Sequence, residues 1–375
     1  MAVTAAALLT REASPEMMTG QPKFEFDPQA TGGFLLDGGA GSSVQVDIES
    51  LGEEAYRGGT TQLDAYRITT VRADESKTAH SYNVRTNTPN HLRSDTLVES
   101  TTPWTTREGG FNKRFMSGLN DLGYATMFVE PRGGAIRASL IDSADNLNYI
   151  GQIARDYRLS SGDIRPDNTL YVGASRAAAI GSGVISTYSD LIAPCYVIPG
   201  TRQELPKAAL QLGLEMAEAG KHLASLGLRE VVSQRGTFSA HPVDLIHTVL
   251  AIPHLRNRDA GKLFWSNSAE ASHITLFDKD GWSQPDEVAK MADDKPNMHV
   301  EVLGGRHMAL AKPEVIQASL DRFDTLAEMR GFDGEVEDAD FDEIWKIQPP
   351  AQKSALGNLS LRTVIKAGYN LASTS

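Results

Sequence analysis

Ser175 is the residue of this sequence whose surroundings point most directly to chemistry. It follows the apolar run at residues 170–174 and precedes a run rich in small residues at 176–187, a pattern that predicts a strand, a sharp turn and a helix. Gly173 and Ala177, two positions on either side of the serine, are small enough to let the strand and the helix come close. A serine hydroxyl needs a neighbouring base and N–H donors before it can attack a carbonyl. The turn predicts such a nucleophile, and a serine that only caps a buried helix is the alternative.

Two later segments contain the base and the acid that a nucleophilic serine needs. Residues 273–277 form a predicted strand that leads into an acidic turn with Asp278 and Asp280. Residues 300–303 form another predicted strand, and two glycines then precede His307. A histidine in that loop is able to take the proton of the serine, while a carboxylate holds the imidazole in the correct tautomer.

Together these segments resemble the α/β-hydrolase superfamily, over roughly residues 60 to 330. The chain order of serine, acid and histidine is the order of that superfamily. Residues 128–139 are similar to a loop found in many members, with Glu130 in place of the usual aspartate. The resemblance implies an α/β fold, with a mostly parallel, twisted sheet flanked by helices. It makes Ser175 the nucleophile and His307 the general base.

The same resemblance leaves two aspartates as the orienting acid. The acid of the superfamily usually ends a G-x-x-D turn, which favours Asp280 over Asp278, although Phe277 stands where the glycine is expected. We expect Asp280→Asn to lower the rate of the reaction far more than Asp278→Asn does.

An oxyanion hole built from two backbone N–H groups is also implied by the resemblance. One donor is Arg176, which follows the nucleophile at the start of a helix. The other comes from the loop after the strand at residues 96–100, where relatives usually carry His-Gly and this chain has Thr-Thr-Pro-Trp. Pro103 has no N–H, so Trp104 is the expected donor and Thr102 the next candidate. The Arg176 side chain is expected either at the mouth of the site, favouring an acidic substrate, or in solvent.

The chain outside these motifs predicts additions around one hydrolase domain. We expect a mobile lead at residues 1–20, a small β-rich addition at residues 21–59 and the hydrolase domain at residues 60–331. Residues 201–261 carry two helical patterns where a simple crossover needs one, which favours a helical lid over a structural crossover. Residues 332–375 are predicted to be an acidic linker and a C-terminal segment that docks on the body or forms a homo-oligomer.

The charge and the residue composition of the chain indicate which partners and cofactors to expect. The net charge of −12 argues against nucleic acid and against an anionic membrane surface. The single cysteine, Cys195, lies in the apolar run at residues 192–198 and is predicted to be a buried strand residue. The histidines show no metal-ligand spacing, and the chain has neither a transmembrane stretch nor a secretory signal pattern. We therefore expect no metal, no cofactor, a small-molecule acyl substrate and a cytoplasmic location.

Three functions agree with these features. The favoured one is a carboxylic-ester hydrolase that forms an acyl-enzyme on Ser175. The second uses the same triad to transfer the acyl group to another alcohol. The third is a non-catalytic binding protein of the same fold, which the unusual loop at residues 101–106 supports. Because this fold carries many acyl chemistries, the sequence predicts a reaction class and not a substrate.

Overall fold

One large β-sheet runs through the part of the chain that the computed structural model describes. The described residues are 24–25, 33–37, 41–56, 58–93, 96–102, 110–131, 140–159, 169–195, 271–283, 285–292, 295, 297–330 and 344–348. Among them, strands hydrogen-bond in the order β1-β2-β3-β4-β5-β7-β6-β8-β9-β10-β11. The strands are β1 (Phe24–Glu25), β2 (Gly33–Asp37), β3 (Ser43–Tyr56), β4 (Gly59–Val71), β5 (Lys77–Pro89), β6 (Leu97–Thr101), β7 (Ala125–Pro131), β8 (Thr169–Ala174), β9 (Tyr188–Ile192), β10 (Ala271–Phe277) and β11 (Met298–Leu303).

The sheet has an antiparallel half and a parallel half. Strands β1 to β5 pair antiparallel with their neighbours, and β5 pairs antiparallel with β7. From β7 through β6, β8, β9 and β10 to β11, every pair is parallel. In a parallel sheet, the loops that follow the strands gather at the carboxyl edge, where open α/β sheets place their sites. The predicted α/β fold class is confirmed.

Helices cover both faces of this sheet. They are α1 (Gly110–Asp121), α2 (Leu140–Ile153), α3 (Arg176–Gly181), α4 (Pro285–Ala292) and α5 (Pro313–Arg330), with a π-helical turn at Ala154–Arg158 and a 3-10 helix at His307–Ala311. One core joins the sheet to α2, α3 and α4 through residues such as Leu147, Ile180 and Val288. The other joins it to α1 and α5 through Phe115 and Phe323. Burial on both faces explains why β8 and β10 are buried along their whole length.

The N-terminal strands continue the same sheet. β3 and β4 pair from Ser43 opposite Val71 to Tyr56 opposite Gly59, with one register shift between Ser50 and Gly52. The predicted boundary between residues 59 and 60 lies within this hairpin. The division of the chain into domains stays a prediction.

Helix α3 is shorter than the predicted helical run, which extended to residue 187. The Ser182 hydroxyl donates to the Ala179 carbonyl at 2.6 Å, and the Gly183 N–H donates to the Ile180 carbonyl at 2.9 Å. These turn contacts end the helix, because small residues and glycine favour a turn as readily as a further helical turn.

Strand β9 lies earlier in the chain than its apolar pattern indicates. The prediction placed a strand within residues 192–198, whereas β9 ends at Ile192. Cys195 is buried as predicted, but it follows the strand instead of lying in it. The pattern misleads because β9 contains a charged residue, Asp190, which is buried and pairs with Arg322 Nε at 2.7 Å.

A short C-terminal piece packs on the body of the protein. Ile344 is fully buried in the core on the α1 and α5 face. The Trp345 ring stacks on His299 with 5.3 Å between ring centroids. The predicted lead at residues 1–20, the predicted lid at residues 201–261 and the rest of the predicted tail lie outside the described residues. Within the described residues, no helix is long and apolar enough to cross a membrane.

Candidate active site

Ser175 occupies a strained turn between β8 and α3. Its φ of 59° and ψ of −122° lie in a region that residues other than glycine seldom adopt. Two backbone hydrogen bonds hold it there, since the Ser175 N–H donates to the Ile192 carbonyl at 2.8 Å and its carbonyl accepts the Cys195 N–H at 3.0 Å. The turn directs the serine side chain to the carboxyl edge of the sheet, as a nucleophile elbow does.

Gly173 explains how the elbow is packed. A Cβ on this residue would lie 2.7 Å from the carbonyl carbon of Ala177 and 2.7 Å from the backbone nitrogen of Ala178. The strand and the helix therefore approach so closely that only glycine fits on the strand. The small residues noted in the sequence thus serve this close approach.

His307 begins the 3-10 helix that follows β11. The loop before it contains Gly305 with a φ of 149°, a conformation that favours glycine. The Ala309 N–H donates to the Arg306 carbonyl at 2.8 Å and starts the 3-10 turn. The side chain of His307 is 10% exposed, so this histidine is largely protected from solvent.

Ser175, His307 and Asp280 form one chain of hydrogen bonds. Ser175 Oγ lies 2.8 Å from His307 Nε2, and His307 Nδ1 lies 2.7 Å from Asp280 Oδ2. The tautomer that fits both contacts carries its proton on Nδ1 and leaves Nε2 as the acceptor for the serine proton. Ser175 follows β8, Asp280 follows β10 and His307 follows β11, so all three lie at the carboxyl edge of the parallel half of the sheet.

Asp280 is ionised in this environment although it is only 2% exposed. Burial alone raises the pKa of a carboxyl, but here the interactions with His307, Ser283 and the Trp282 N–H outweigh burial and hold the pKa of Asp280 below its usual value. The Trp282 N–H donates to Asp280 Oδ1 at 2.8 Å. A carboxylate that stays charged beside the imidazole is the form that stabilises an imidazolium.

Asp278, the competing candidate, contacts a different part of the site. Its Oδ1 accepts the Gly305 N–H at 2.7 Å, and its side chain is exposed. The neighbouring Lys279 N–H donates to the Gly305 carbonyl at 2.9 Å. Asp278 therefore joins the acid turn to the histidine loop, while Asp280 is the aspartate in contact with His307.

The structure describes only one of the two predicted oxyanion donors, Arg176. The Arg176 N–H lies in the first turn of α3, where helix amides have no intrahelical acceptor. Trp104 lies outside the described residues, so its role stays a prediction. Thr102, the next candidate, already donates its N–H to the Val129 carbonyl at 3.3 Å. Thr102 would have to give up this contact at the sheet edge before it could bind an oxyanion.

The side chain of Arg176 lies in neither of its two predicted positions. It is 2% exposed, whereas the prediction placed it at the mouth of the site or in solvent. The cause is that α3 packs closely behind β8, so that every residue of this helix is buried. Burial lowers the pKa of Arg176 to about 10, and nearby Tyr82, Cys195 and Tyr171 act against that shift. The guanidinium thus remains charged at neutral pH and is not available to a substrate at the entrance.

Ser283 and Trp282 complete the acid turn, and the sequence interpretation missed both. The Ser283 hydroxyl donates to Asp280 Oδ2, and its N–H donates to Asp280 Oδ1 at 3.3 Å. The Trp282 ring lies beside His307, with 6.4 Å between the ring centroids. An aspartate that binds N–H groups two or three residues later is an Asx turn, so the Asp-Gly-Trp-Ser order was an available signal.

A small recess adjoins the end of β8, the strand that carries the elbow. Its walls come from β6, α1, β8 and β9: Ser100, Phe115, Met116, Val172, Gly173, Ala174 and Ile192. In the described residues, no group of three histidine, cysteine, aspartate or glutamate side chains could hold a metal ion.

Comparisons with known proteins give likenesses to solved structures alone. No protein-family model matches the chain, and no curated protein matches it. The peroxisomal alpha-beta-hydrolase Lpx1 of Saccharomyces cerevisiae has a TM-score of 0.46 and 13% identity, covering 89% of this chain and 96% of that one. A structure from a study of carboxylesterases of Nitrososphaera gargenis has a TM-score of 0.46 and 13% identity, covering 67% and 96%. The enol-lactonase of Burkholderia xenovorans LB400 has a TM-score of 0.45 and 12% identity, covering 65% and 95%.

Proposed function

We propose that this chain, an α/β-hydrolase by its fold, is a serine hydrolase that cleaves a carboxylic ester or a related acyl bond of a small molecule. The observation that carries the proposal is the continuous line of hydrogen bonds from Ser175 Oγ through His307 to the Asp280 carboxylate. It lies at a strained elbow, and strain of this kind is concentrated at functional sites. A serine that only caps a helix needs neither contact.

The geometry supports the following sequence of steps. Ser175 Oγ attacks the acyl carbon while its proton passes to His307 Nε2, and the carbonyl oxygen becomes an oxyanion. N–H donors stabilise that oxyanion, with Arg176 as the proposed donor on α3 and Trp104 as the proposed second donor. Collapse of the intermediate breaks the bond to the leaving alcohol, which takes the proton from His307. Water then attacks the acyl-enzyme by the same route and returns Ser175 to its hydroxyl form.

Asp280 has two tasks in this scheme. It fixes the tautomer in which Nδ1 carries the proton, and it stabilises the imidazolium that exists between the two proton transfers. Its hydrogen bonds to the acid turn keep it charged throughout. The Ser175 backbone is bound to Ile192 and Cys195, and the Asp280 carboxylate is bound by the N–H groups of its own turn, so these parts of the arrangement are in place before substrate binds.

The test is covalent labelling with a fluorophosphonate, followed by peptide mapping. We expect one label on Ser175 in the wild-type chain and none in Ser175→Ala, with ester turnover lost to background in that variant. Ser182→Ala is the matched control, because the Ser182 hydroxyl binds the Ala179 carbonyl and not His307. This control should label at the wild-type rate.

The results also separate the proposal from its rivals. Labelling that persists in Ser175→Ala would assign the nucleophile elsewhere. A folded wild-type chain that is inert to fluorophosphonate and to a series of activated acyl esters would favour the binding-protein hypothesis. Product analysis with an added alcohol distinguishes hydrolysis from acyl transfer, since transfer yields a new ester in place of the free acid.

A further inference from the structure

The Asp280 carboxylate is held by more donors than a histidine partner requires. Oδ1 accepts the backbone N–H groups of Trp282 and Ser283, at 2.8 and 3.3 Å. Oδ2 accepts His307 Nδ1 at 2.7 Å, and it also accepts the hydroxyl of Ser283. The oxygen that faces the imidazole is therefore shared between the histidine and a serine.

The Ser283 hydroxyl makes this contact from a buried position. Its side chain is 0% exposed, and α4 begins two residues later with Pro285. The buried Val288 attaches that helix to the core and so limits movement of the turn. An ionised carboxylate can only accept hydrogen bonds, so the hydroxyl must be the donor.

We propose that Ser283 is a positioning residue for the triad: its hydroxyl donates to Oδ2 of Asp280 and so moderates the negative charge that this oxygen presents to His307. The inference rests on the proposed function, because a triad is what the contact serves. It deepens that function by naming a group that acts on the general base through Asp280.

The charge argument gives the direction of the effect. A hydroxyl that donates to Oδ2 draws charge toward itself, and charge-assisted hydrogen bonds of this type are strong. Without it, the full charge of Oδ2 faces Nδ1 and stabilises the imidazolium more strongly. The pKa of His307 then rises, and a higher pH is needed before Nε2 can accept the serine proton.

The other ionisable groups near Asp280 and His307 do not account for the shift expected in Ser283→Ala. Asp278, Lys279 and Arg306 lie on the two loops and are at least partly exposed. Cys195 is the buried neighbour, within electrostatic range of Asp280, and burial raises the pKa of its thiol, so it stays neutral through the range in which histidine titrates.

The experiment titrates His307 in the full chain by NMR with ¹⁵N-labelled histidine, using His307→Gln to assign the resonance. In Ser283→Ala we expect the pKa of His307 to rise by about 0.5 or more, which corresponds to about 0.7 kcal/mol in favour of the imidazolium. The acidic limb of kcat/KM should move to higher pH by the same amount. Ser283→Thr keeps a hydroxyl and should titrate like the wild type.

Each result has a definite meaning. An unchanged or lower His307 pKa in folded Ser283→Ala overturns the proposal, even if that variant melts earlier, because a purely structural serine changes stability alone. If Ser283→Ala does not fold, Ser283→Cys takes its place, because a thiol is a weaker donor of similar size. A His307 pKa in Ser283→Cys that equals the wild-type value overturns the proposal. A wild-type chain that neither labels nor turns over an ester contradicts the proposed function instead, and the NMR titration still decides the role of Ser283.

Discussion

Ser175 keeps a backbone conformation that costs energy, and distant residues hold it there. A positive φ at a residue other than glycine costs of order 1 to 3 kcal/mol, and Ser175 has a φ of 59°. Its N–H and carbonyl are both bound to the chain at the end of β9, through Ile192 and Cys195. Two hydrogen bonds between neighbouring strand ends thus maintain a turn that the local sequence alone would not favour.

The two aspartates of the acid turn provide the sharpest test among single residues. Asp280→Asn places an amide against His307 Nδ1, which favours the wrong tautomer and removes the charge that stabilises the imidazolium. We expect kcat/KM to fall by roughly 10³ to 10⁴. Asp278→Asn keeps an oxygen that can accept the Gly305 N–H, so we expect a loss of about threefold or less.

Side-by-side measurement of kcat/KM for both variants, with thermal melts as the folding control, decides between them. A larger loss at Asp278 would show that the bridge to Gly305 matters more to turnover than the contact with His307. Equal, small losses would contradict the role of Asp280 as the orienting acid.

Some residues of the site could be predicted from the sequence, and others could not. Ser175, Asp280 and His307 each follow a predicted strand in a short motif, so local pattern was enough to find them. The burial of Arg176 depends on how closely α3 packs behind β8, and Asp190 is buried only because Arg322, far along the chain, pairs with it. Such contacts join distant parts of the chain and leave no periodic signal.

At the scale of elements, the close contact between β8 and α3 fixes the position of the turn that carries Ser175. Gly173→Ala would bring a Cβ within 2.7 Å of three backbone atoms, and a backbone cannot move aside as a side chain can. We expect a loss of about 1 to 3 kcal/mol in unfolding free energy. The fluorophosphonate labelling rate should also fall at least about tenfold, because α3 must shift and Ser175 moves with it.

Gly118→Ala is the matched control for that variant. A Cβ on Gly118 would also meet an atom at 2.7 Å, but that atom is a terminal methyl carbon of the Leu320 side chain, which can rotate. Alanine is also the better helix former in α1. A folded Gly173→Ala that labels at the wild-type rate would contradict the close-packing argument.

Helices and strands, too, could be predicted where the local pattern determines them, and not where contacts between distant residues do. Helix α5 begins at Pro313 as its sequence indicates, and the strands beside the acid and the histidine are present. β9 was misplaced because a buried ion pair interrupts its apolar pattern. The order of strands in the sheet depends on pairing between segments far apart, and the sequence did not predict it; the resemblance predicted the fold class, which periodicity alone could not.

At the scale of the whole molecule, the sheet separates two polar regions. The triad lies at the carboxyl edge of the parallel strands, and a buried ionisable cluster lies nearer their amino ends. His273 in this cluster is level with Asp190 on β9 and His299 on β11, and its two ring nitrogens lie 3.9 Å from Asp190 Oδ1 and Glu301 Oε2. The sequence shows no local signal for this cluster, because only the strand register brings these groups together.

Glu301 makes the stability of the protein depend on pH. Burial raises the pKa of its carboxyl from 4.5 to about 7, and Arg322 only partly offsets that shift. Burial also lowers the pKa of His273 well below its usual value, so this neighbour is neutral and gives the carboxylate no charge to pair with. The folded state therefore holds the Glu301 proton more tightly than the unfolded state does. The contribution is fully present below about pH 4.5 and is lost as the pH rises through about 7.

Glu301→Gln removes this dependence, because glutamine is neutral at every pH. We expect the variant to match the wild type near pH 5 and to exceed it near pH 8 by about 1 to 3 kcal/mol in unfolding free energy. Denaturant melts of both proteins across this range measure the difference, and Asp280 and other titrating groups cancel in the comparison. Glu328→Gln, at an exposed position on α5, controls for the loss of one negative charge. A difference that stays constant from pH 5 to pH 8 would mean that Glu301 is already ionised in the folded protein at pH 5.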